Sequence, residues 1–355
     1  MTPRVLSGMR PTGQLHLGHL VGALTNWKKL QDEYDCFFMV ADYHALMSEY
    51  EHPDRIHEWS RDNVLDWLAY GIDPERSTIF RQSDVPEHAE LFTMLSIITP
   101  LGWLERVPTY KEQLREVEGR DLTTYGFLGY PVLQAADILL YKANAVPVGE
   151  DQLPHLELTR ELVRRLHALL GREIFPEPKA LLTESPKLLG TDARKMSKSY
   201  GNTLNLSESA ETIRTMAQKM FTDPLRIKMR DPGHPETCNV CNYWKMFSPE
   251  QASRVWDECR TAQRGCVQNK RELAEVLIQM TEPFRQGRAR SHDDVERLLQ
   301  AGAKKARAVA QQTIAEVKRA FGLTGALTGS AGSAQTRAAA SSPPSARKHV
   351  GKSRS

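Results

Sequence analysis

The chain has 355 residues and a formal net charge of +3, from 47 Lys and Arg against 44 Asp and Glu; 40% of its residues are hydrophobic and 26% charged. That composition excludes collagen-like, coiled-coil-only and wholly disordered proteins, and no apolar run nears the roughly 20 residues of a bilayer span. The length suggests about two domains, and the opening MTPRVLSGMRPTG has no basic region followed by a long apolar stretch, so a cytoplasmic protein with no membrane association is expected. In chain order, 5–9 reads as a short buried strand ending in Gly and Pro turn signals. Residues 16–30 follow as a helix, with Leu20, Leu24 and Trp27 on one face. The apolar run CFFMVA at 36–41 suits a strand buried on both faces. A helix over 59–70, strands over 77–80 and 143–148, and a helix over 156–170 continue the alternation. Such alternation predicts an α/β fold, a parallel sheet with helices on both faces. After about residue 203 the pattern changes to helices over 207–221, 249–262, 268–287 and 291–321, which reads as a second, helical domain. From Leu323 the chain is Ala, Ser, Gly and Pro with scattered Arg and Lys, and it is expected to be disordered.

Two segments carry chemistry. The first is Ser7-Gly8-Met9-Arg10-Pro11-Thr12-Gly13 followed by His16-Leu17-Gly18-His19. A strand runs into a glycine-containing turn and a helix start, where backbone N–H groups can hold an anion. His16 and His19 lie on one face of the first turns and can donate to phosphate oxygens as charge builds; Gly18 leaves room for a nucleoside. Alone, the pattern equally suits surface or metal-binding histidines. The second segment is Thr191-Asp192-Ala193-Arg194-Lys195-Met196-Ser197-Lys198-Ser199. Two lysines in a small, hydroxyl-rich loop can neutralise charge moving onto leaving pyrophosphate, although most such stretches are solvated basic loops. The pairing of the two is far more specific than either.

Together these segments resemble the class I aminoacyl-tRNA synthetases. Tyr130-Pro131-Val132-Leu133-Gln134-Ala135-Ala136-Asp137 and Val146-Pro147-Val148-Gly149-Glu150-Asp151-Gln152 narrow the resemblance to the tryptophanyl-tRNA synthetase family, over about residues 4–322. The resemblance implies a Rossmann-type doubly wound catalytic domain at 1–190 and a Lys-Met-Ser-Lys-Ser loop at 191–203. A helical domain on the anticodon side of the tRNA at 204–322 and a disordered basic tail at 323–355 would follow. It further implies ligation of L-tryptophan to tRNA(Trp) with ATP and Mg2+, by a homodimer. His16, His19, Lys195 and Lys198 would be catalytic. Arg10, Pro11, Thr12, Gly18, Gly149, Glu150, Asp151, Met196, Ser197 and Ser199 would line the ATP site with them. Asp137 would accept the indole N–H, and Tyr130, Gln152 and His44 would complete the tryptophan site. From spacing alone Asp137 is an ion-paired or capping helix residue, and His44 a packed core histidine. Arg10 stands where many members carry Gln, and Gln134 where many carry Met.

Cys238, Cys241, Cys259 and Cys266 cluster in one short stretch. Four thiolates there suit a [4Fe-4S] cluster or, alternatively, zinc; free thiols are the third possibility. By resemblance a subgroup of the family binds [4Fe-4S] here, with a fourth cysteine three residues after Cys266. Asn269 stands there instead, and Cys241 is the replacement from the other side. The tail, with Arg337, Arg347, Lys348, Lys352 and Arg354 and no acid, carries +5, so the remaining 322 residues carry −2. Any tRNA surface on the folded part must therefore be a local basic patch.

Overall fold

Side chains alternate across a strand, so neighbouring residues enter different cores. The computed structural model of the chain describes residues 2–116, 121–182, 188–196, 200–288 and 292–323. The Lys198 region and the tail beyond Leu323 thus lie outside the described residues. Five strands, β1 (Arg4–Met9), β2 (Asp35–Val40), β3 (Ser77–Arg81), β4 (Ala145–Val148) and β5 (Lys179–Leu182), form one sheet in the order β3-β2-β1-β4-β5. Every pairing is parallel. The order reverses between β1 and β4, which is where a doubly wound sheet opens a crevice for ligands.

Between β1 and β2 come α1 (Leu17–His19), a π-helical turn Leu20–Leu24 and α2 (Thr25–Leu30). One helix is expected over 16–30; the π turn is the departure, marked by the Thr25 hydroxyl donating to the Leu20 carbonyl at 2.8 Å. Next are α3 (Asp42–Glu49) and α4 (Ile56–Tyr70), and beyond β3 α5 (Glu87–Ile98), α6 (Leu101–Leu104), α7 (Pro108–Glu116) and α8 (Tyr125–Leu140). Helix α9 (Leu153–Leu170) joins β4 to β5, and α10 (Ala210–Lys219), α11 (Asn239–Phe247), α12 (Pro249–Arg260), α13 (Cys266–Gly287) and α14 (His292–Ala320) follow. Strand β5 and helices α3, α5, α6, α7, α8 and α11 are additions to the expected elements. Among the described residues no helix is long and apolar enough to cross a membrane.

One sheet face buries Val5, Cys36, Phe38 and Ile79 beneath α2 and α4, with Trp27 stacked on Phe38 at 4.5 Å and edge-on to Trp67. The opposite face buries Leu6, Phe37, Met39, Phe80 and Val146 beneath α5, α8 and α9. The later helices join both cores: Leu273 and Phe284 the first, Ala306 and Ile314 the second. Helix α14 lies across edge strand β3. Arg81 binds Glu296 with both oxygens (2.8 and 3.1 Å), Glu87 takes Arg307 at 2.9 Å and Lys142 reaches Glu316 at 2.6 Å.

The approach is closest at Gly302, where an added Cβ would sit 1.7 Å from the Ile79 carbonyl oxygen. Alanine normally gains about 1 kcal/mol over glycine inside a helix. Here the neighbour is backbone, which cannot swing aside. Gly302→Ala is therefore expected to destabilise the protein by about 1–3 kcal/mol, the range of overpacking. Gly126→Ala, with no atom within 4 Å of the new methyl, is expected to be neutral or stabilising. Denaturant unfolding of the two variants checks the sign of each.

Candidate active site at the sheet switch point

Strands β1 and β4 diverge at their C-terminal ends over a cavity of about 400 Å³. Met9, Arg10 and Thr12 line it from the end of β1, His44 and Met47 from α3, and Val148 and Gln152 from the end of β4. Helix α8 supplies Phe127, Tyr130, Gln134 and Asp137. Spacings of three and four put these on one helical face. The N-cap of α8, Thr124, accepts the Phe127 N–H at 3.2 Å and sets that face.

Asp137 is the floor of the cavity and is 2% exposed. Gln82, just past β3, donates to Oδ1 at 2.8 Å, and His88 Nδ1 meets the same oxygen at 2.7 Å. His44 Nε2 meets Oδ2 at 2.9 Å. Burial by itself would raise the carboxyl's pKa, but the two histidines outweigh it and hold the group below its ordinary value. His88 is itself fully buried, and its Nε2 meets the Tyr141 hydroxyl at 2.7 Å. At the other wall the Tyr130 hydroxyl lies 2.7 Å from His155 Nε2 and 3.0 Å from the Thr109 hydroxyl. Burial pushes His155 down to about 4, so its ring is neutral at ordinary pH. Of these residues, Asp137, His44, Tyr130 and Gln152 are expected from sequence. Gln82, His88, Thr109, Tyr141 and His155 are not.

The histidine motif caps its helix reciprocally. His16 is the N-cap of α1; its Nδ1 accepts the Gly18 N–H, while the His16 N–H donates to His19 Nδ1, both at 3.1 Å. With both Nδ1 atoms acting as acceptors, the proton of each neutral ring sits on Nε2. The rings lie 3.9 Å apart, and His19 lines the cavity. Gly18 has a structural reason beyond room for a nucleoside: a Cβ there would come 2.9 Å from the His16 ring.

The lysine loop meets this motif. Met196 Sδ lies 3.5 Å from where that Cβ would be. Leu17 N–H donates to the Leu204 carbonyl at 3.0 Å, and Leu206 N–H to that of Leu15 at 2.8 Å. Asn202 donates to Asp192 (2.8 Å) and to the Lys195 carbonyl (3.0 Å). The Asn202 hydrogen bond, followed by those of Arg194, holds the Asp192 carboxyl down at about 2. Lys195 is exposed; Ser197, Lys198 and Ser199 lie outside the described residues. Glu150 and Asp151 form an exposed turn after β4, with Gly149 before them.

The cysteines are partly brought together. Cys241 hydrogen-bonds to both Cys238 and Cys259, which lowers Cys238 to about 6 and Cys259 to about 7 and raises Cys241. Asn269, at the family's fourth-cysteine position, donates to Cys241 Sγ at 3.6 Å and accepts the Trp244 indole N–H at 2.7 Å. Cys266 starts α13 and is only half-buried. The thiols are the right donors for iron or zinc, but among the described residues no group of three or more His, Cys, Asp or Glu has metal-holding geometry. The expected four-cysteine cage is therefore not found among the described residues.

Comparison with known proteins accords with this geometry. The family profile described as tRNA synthetases class I (W and Y) matches residues 1–282. A tryptophan–tRNA ligase of Thermotoga maritima is 52% identical over 326 residues, covering 90% of this chain and 99% of the relative. That of Aquifex aeolicus is 42% identical over 394 residues, covering 90% and 100%. The crystal structure of the Campylobacter jejuni tryptophanyl-tRNA synthetase complexed with ADP and tryptophan superposes with a TM-score of 0.81 at 32% identity, covering 90% of this chain and 99% of that one. With its 3-2-1-4-5 parallel sheet, its switch-point cavity and these relatives, the chain belongs to the class I tRNA synthetase family of the W and Y enzymes.

Proposed function

We propose that this protein activates L-tryptophan with ATP-Mg and transfers the tryptophanyl group to the terminal adenosine of tRNA(Trp). The observation that carries this reading is the buried, ionised Asp137 on the floor of the switch-point cavity. Its Oδ1 already has two donors and its Oδ2 one, so Oδ2 retains an acceptor site for an indole N–H. Met39, Ile138, Val146 and Val148 supply apolar walls for the ring.

In the first step the tryptophan carboxylate attacks the α-phosphorus; a P–O bond forms to the amino acid and pyrophosphate leaves. The protein needs no covalent nucleophile, only positioning and charge stabilisation. Tyr130 and Gln152 hold the amino-acid head group, and the neutral His155 with Thr109 fixes the Tyr130 hydroxyl. His16 and His19 donate from Nε2 to phosphate oxygens; their capping geometry supports that assignment. Arg10, Pro11, Thr12, Gly18, Gly149, Glu150 and Asp151 belong to the ATP site. Lys195 and Lys198, with Met196, Ser197 and Ser199, hold the pyrophosphate end. The division into a catalytic part (1–190), loop (191–203) and tRNA-side helices (204–322) belongs to the same reading, as does a cytoplasmic location.

A homodimer is part of the proposal. A second, largely apolar cavity is lined by Tyr43, Leu46, Tyr50, Phe92 and Leu133 among others, with Tyr125 (70% exposed) and Ile97 (78%) among the exposed apolar side chains of the neighbouring helices. Exposed apolar surface of this kind marks an interface. For the cysteines, [4Fe-4S], with zinc as alternative, is proposed on the thiol donor set alone, against the absence of a formed cage among the described residues, and no catalytic step is assigned to it.

Tryptophan-dependent ATP–pyrophosphate exchange tests the activity: exchange with tryptophan is expected, and exchange with tyrosine alone overturns the substrate. Asp137→Ala is expected to lower kcat/KM for tryptophan by about 10–100-fold, corresponding to about 1–3 kcal/mol for an unmade buried hydrogen bond. Light scattering on the purified protein should give the dimer mass, and Tyr125→Asp with Ile97→Asp should shift it toward the monomer. Stoichiometric iron or zinc in anaerobically purified protein supports the cluster, and absence of both removes it.

A further inference from the structure

The donors around Asp137 are unequal in kind. His44 lines the cavity beside the carboxyl, whereas Gln82 and His88 lie behind it, both fully buried, and His88 has both ring nitrogens committed. Nδ1 faces a carboxylate oxygen and therefore carries the proton. Nε2 meets the Tyr141 hydroxyl, whose ring packs between Phe37 (4.8 Å) and Phe80 (5.4 Å). Phe80 also stacks on the His88 ring at 6.1 Å. The imidazole thus has no rotational freedom: one end is aimed by a buried hydroxyl, the other at Oδ1.

This arrangement decides which lone pairs remain. Oδ1 is saturated by Gln82 and His88, and the unspent acceptor is on Oδ2 beside His44. Without His88 the carboxyl would lose one of its two fully buried donors, and burial would favour the protonated form. A protonated carboxyl is the weaker acceptor for an N–H and offers a proton of its own.

We propose that His88, aimed by Tyr141, is a positioning and specificity-determining residue: it holds Asp137 ionised and in register, so that the pocket discriminates an indole N–H from an isosteric ring lacking it. The proposal rests on the reading of Asp137 as the indole acceptor. No contact between His88 and substrate is involved; His88 acts through Asp137 alone.

The test uses the full-length protein in pyrophosphate exchange, with tryptophan and with its analogue 3-(benzothiophen-3-yl)alanine, in which sulfur replaces the indole N–H. The readout is the ratio of kcat/KM for tryptophan over the analogue. Sites that bond a substrate N–H reject the analogue lacking it by large factors, so the wild-type ratio should be high. His88→Leu should lower that ratio by about 10-fold or more, mainly through KM for tryptophan, as loss of ground-state binding does. His88→Asn, whose amide N–H falls near the position of Nδ1, should restore much of it. The tryptophan KM of His88→Leu should also rise toward acid pH where that of the wild type stays flat, because the carboxyl, its pKa raised by the loss of a donor, gains its proton at a higher pH than in the wild type. The groups left around the carboxyl in that variant are His44 of α3, Gln82 after β3 and Tyr141 after α8. Beyond them stand His155 of α9, which feels His44, and Glu87, which acts on Tyr141.

An unchanged ratio and a flat pH profile in His88→Leu, with Asp137→Ala collapsing the ratio, would overturn the role of His88 alone. An unchanged ratio in Asp137→Ala would overturn the indole reading and the proposal with it. Should His88→Leu fail to fold by thermal melting, Tyr141→Phe, which removes only the aiming hydroxyl, carries the test: a smaller shift in the same direction supports the proposal and an unchanged ratio overturns it.

Discussion

A single carboxylate, taken out of water and kept charged, dictates more of this architecture than any other group. Removing such a charge from water costs several kcal/mol unless donors surround it. The donors for Asp137 come from three separate segments: His44 on α3, Gln82 past β3 and His88 on α5. They meet only if β2 and β3 are paired in register and α5 and α8 pack together on one sheet face. The cavity above them is a consequence of the same order, since β1 and β4 part beside it.

Much of this was legible in the chain. The apolar run at 36–41 could hardly be anything but a strand buried on both faces, and β2 sends Cys36 and Phe38 to one core and Phe37 and Met39 to the other. The histidine motif after β1 and the Ala-Ala-Asp context of Asp137 pointed to the site. What stayed hidden shares a cause. His88 and Gln82 are single polar residues in ordinary surroundings, 49 and 55 positions from the carboxylate they serve. No local pattern encodes a contact of that range. Helix α11 was obscured differently: its Cys-x-x-Cys spacing reads as a ligand loop, yet Val240, Tyr243 and Trp244 make it a buried helix.

That helix also joins the two halves of the chain. Asn239 and Tyr243, one turn apart on α11, donate to the carbonyls of Gly190 (2.7 Å) and Leu189 (2.6 Å) at the base of the lysine loop. On its far side the loop is bridged to the histidine motif through His16 and Asn205. One stem of the loop is therefore held by side-chain donors on its carbonyls and the other by backbone bridging. The thiols of Cys238 and Cys241 lie at the start of the same helix.

The seat of α14 on β3 has a consequence for how the protein is made. An edge strand presents unpaired backbone groups that invite pairing with another chain. Here the cover for that edge is α14, the last helix among the described residues, which comes hard against Ile79 at Gly302. During synthesis β3 emerges long before its cover does. At about 5–20 residues per second, the nascent sheet waits on the order of ten seconds or more with that border open. The ribosome-bound chain thus passes through an interval in which self-association competes with folding, and that interval ends only when the final helix arrives.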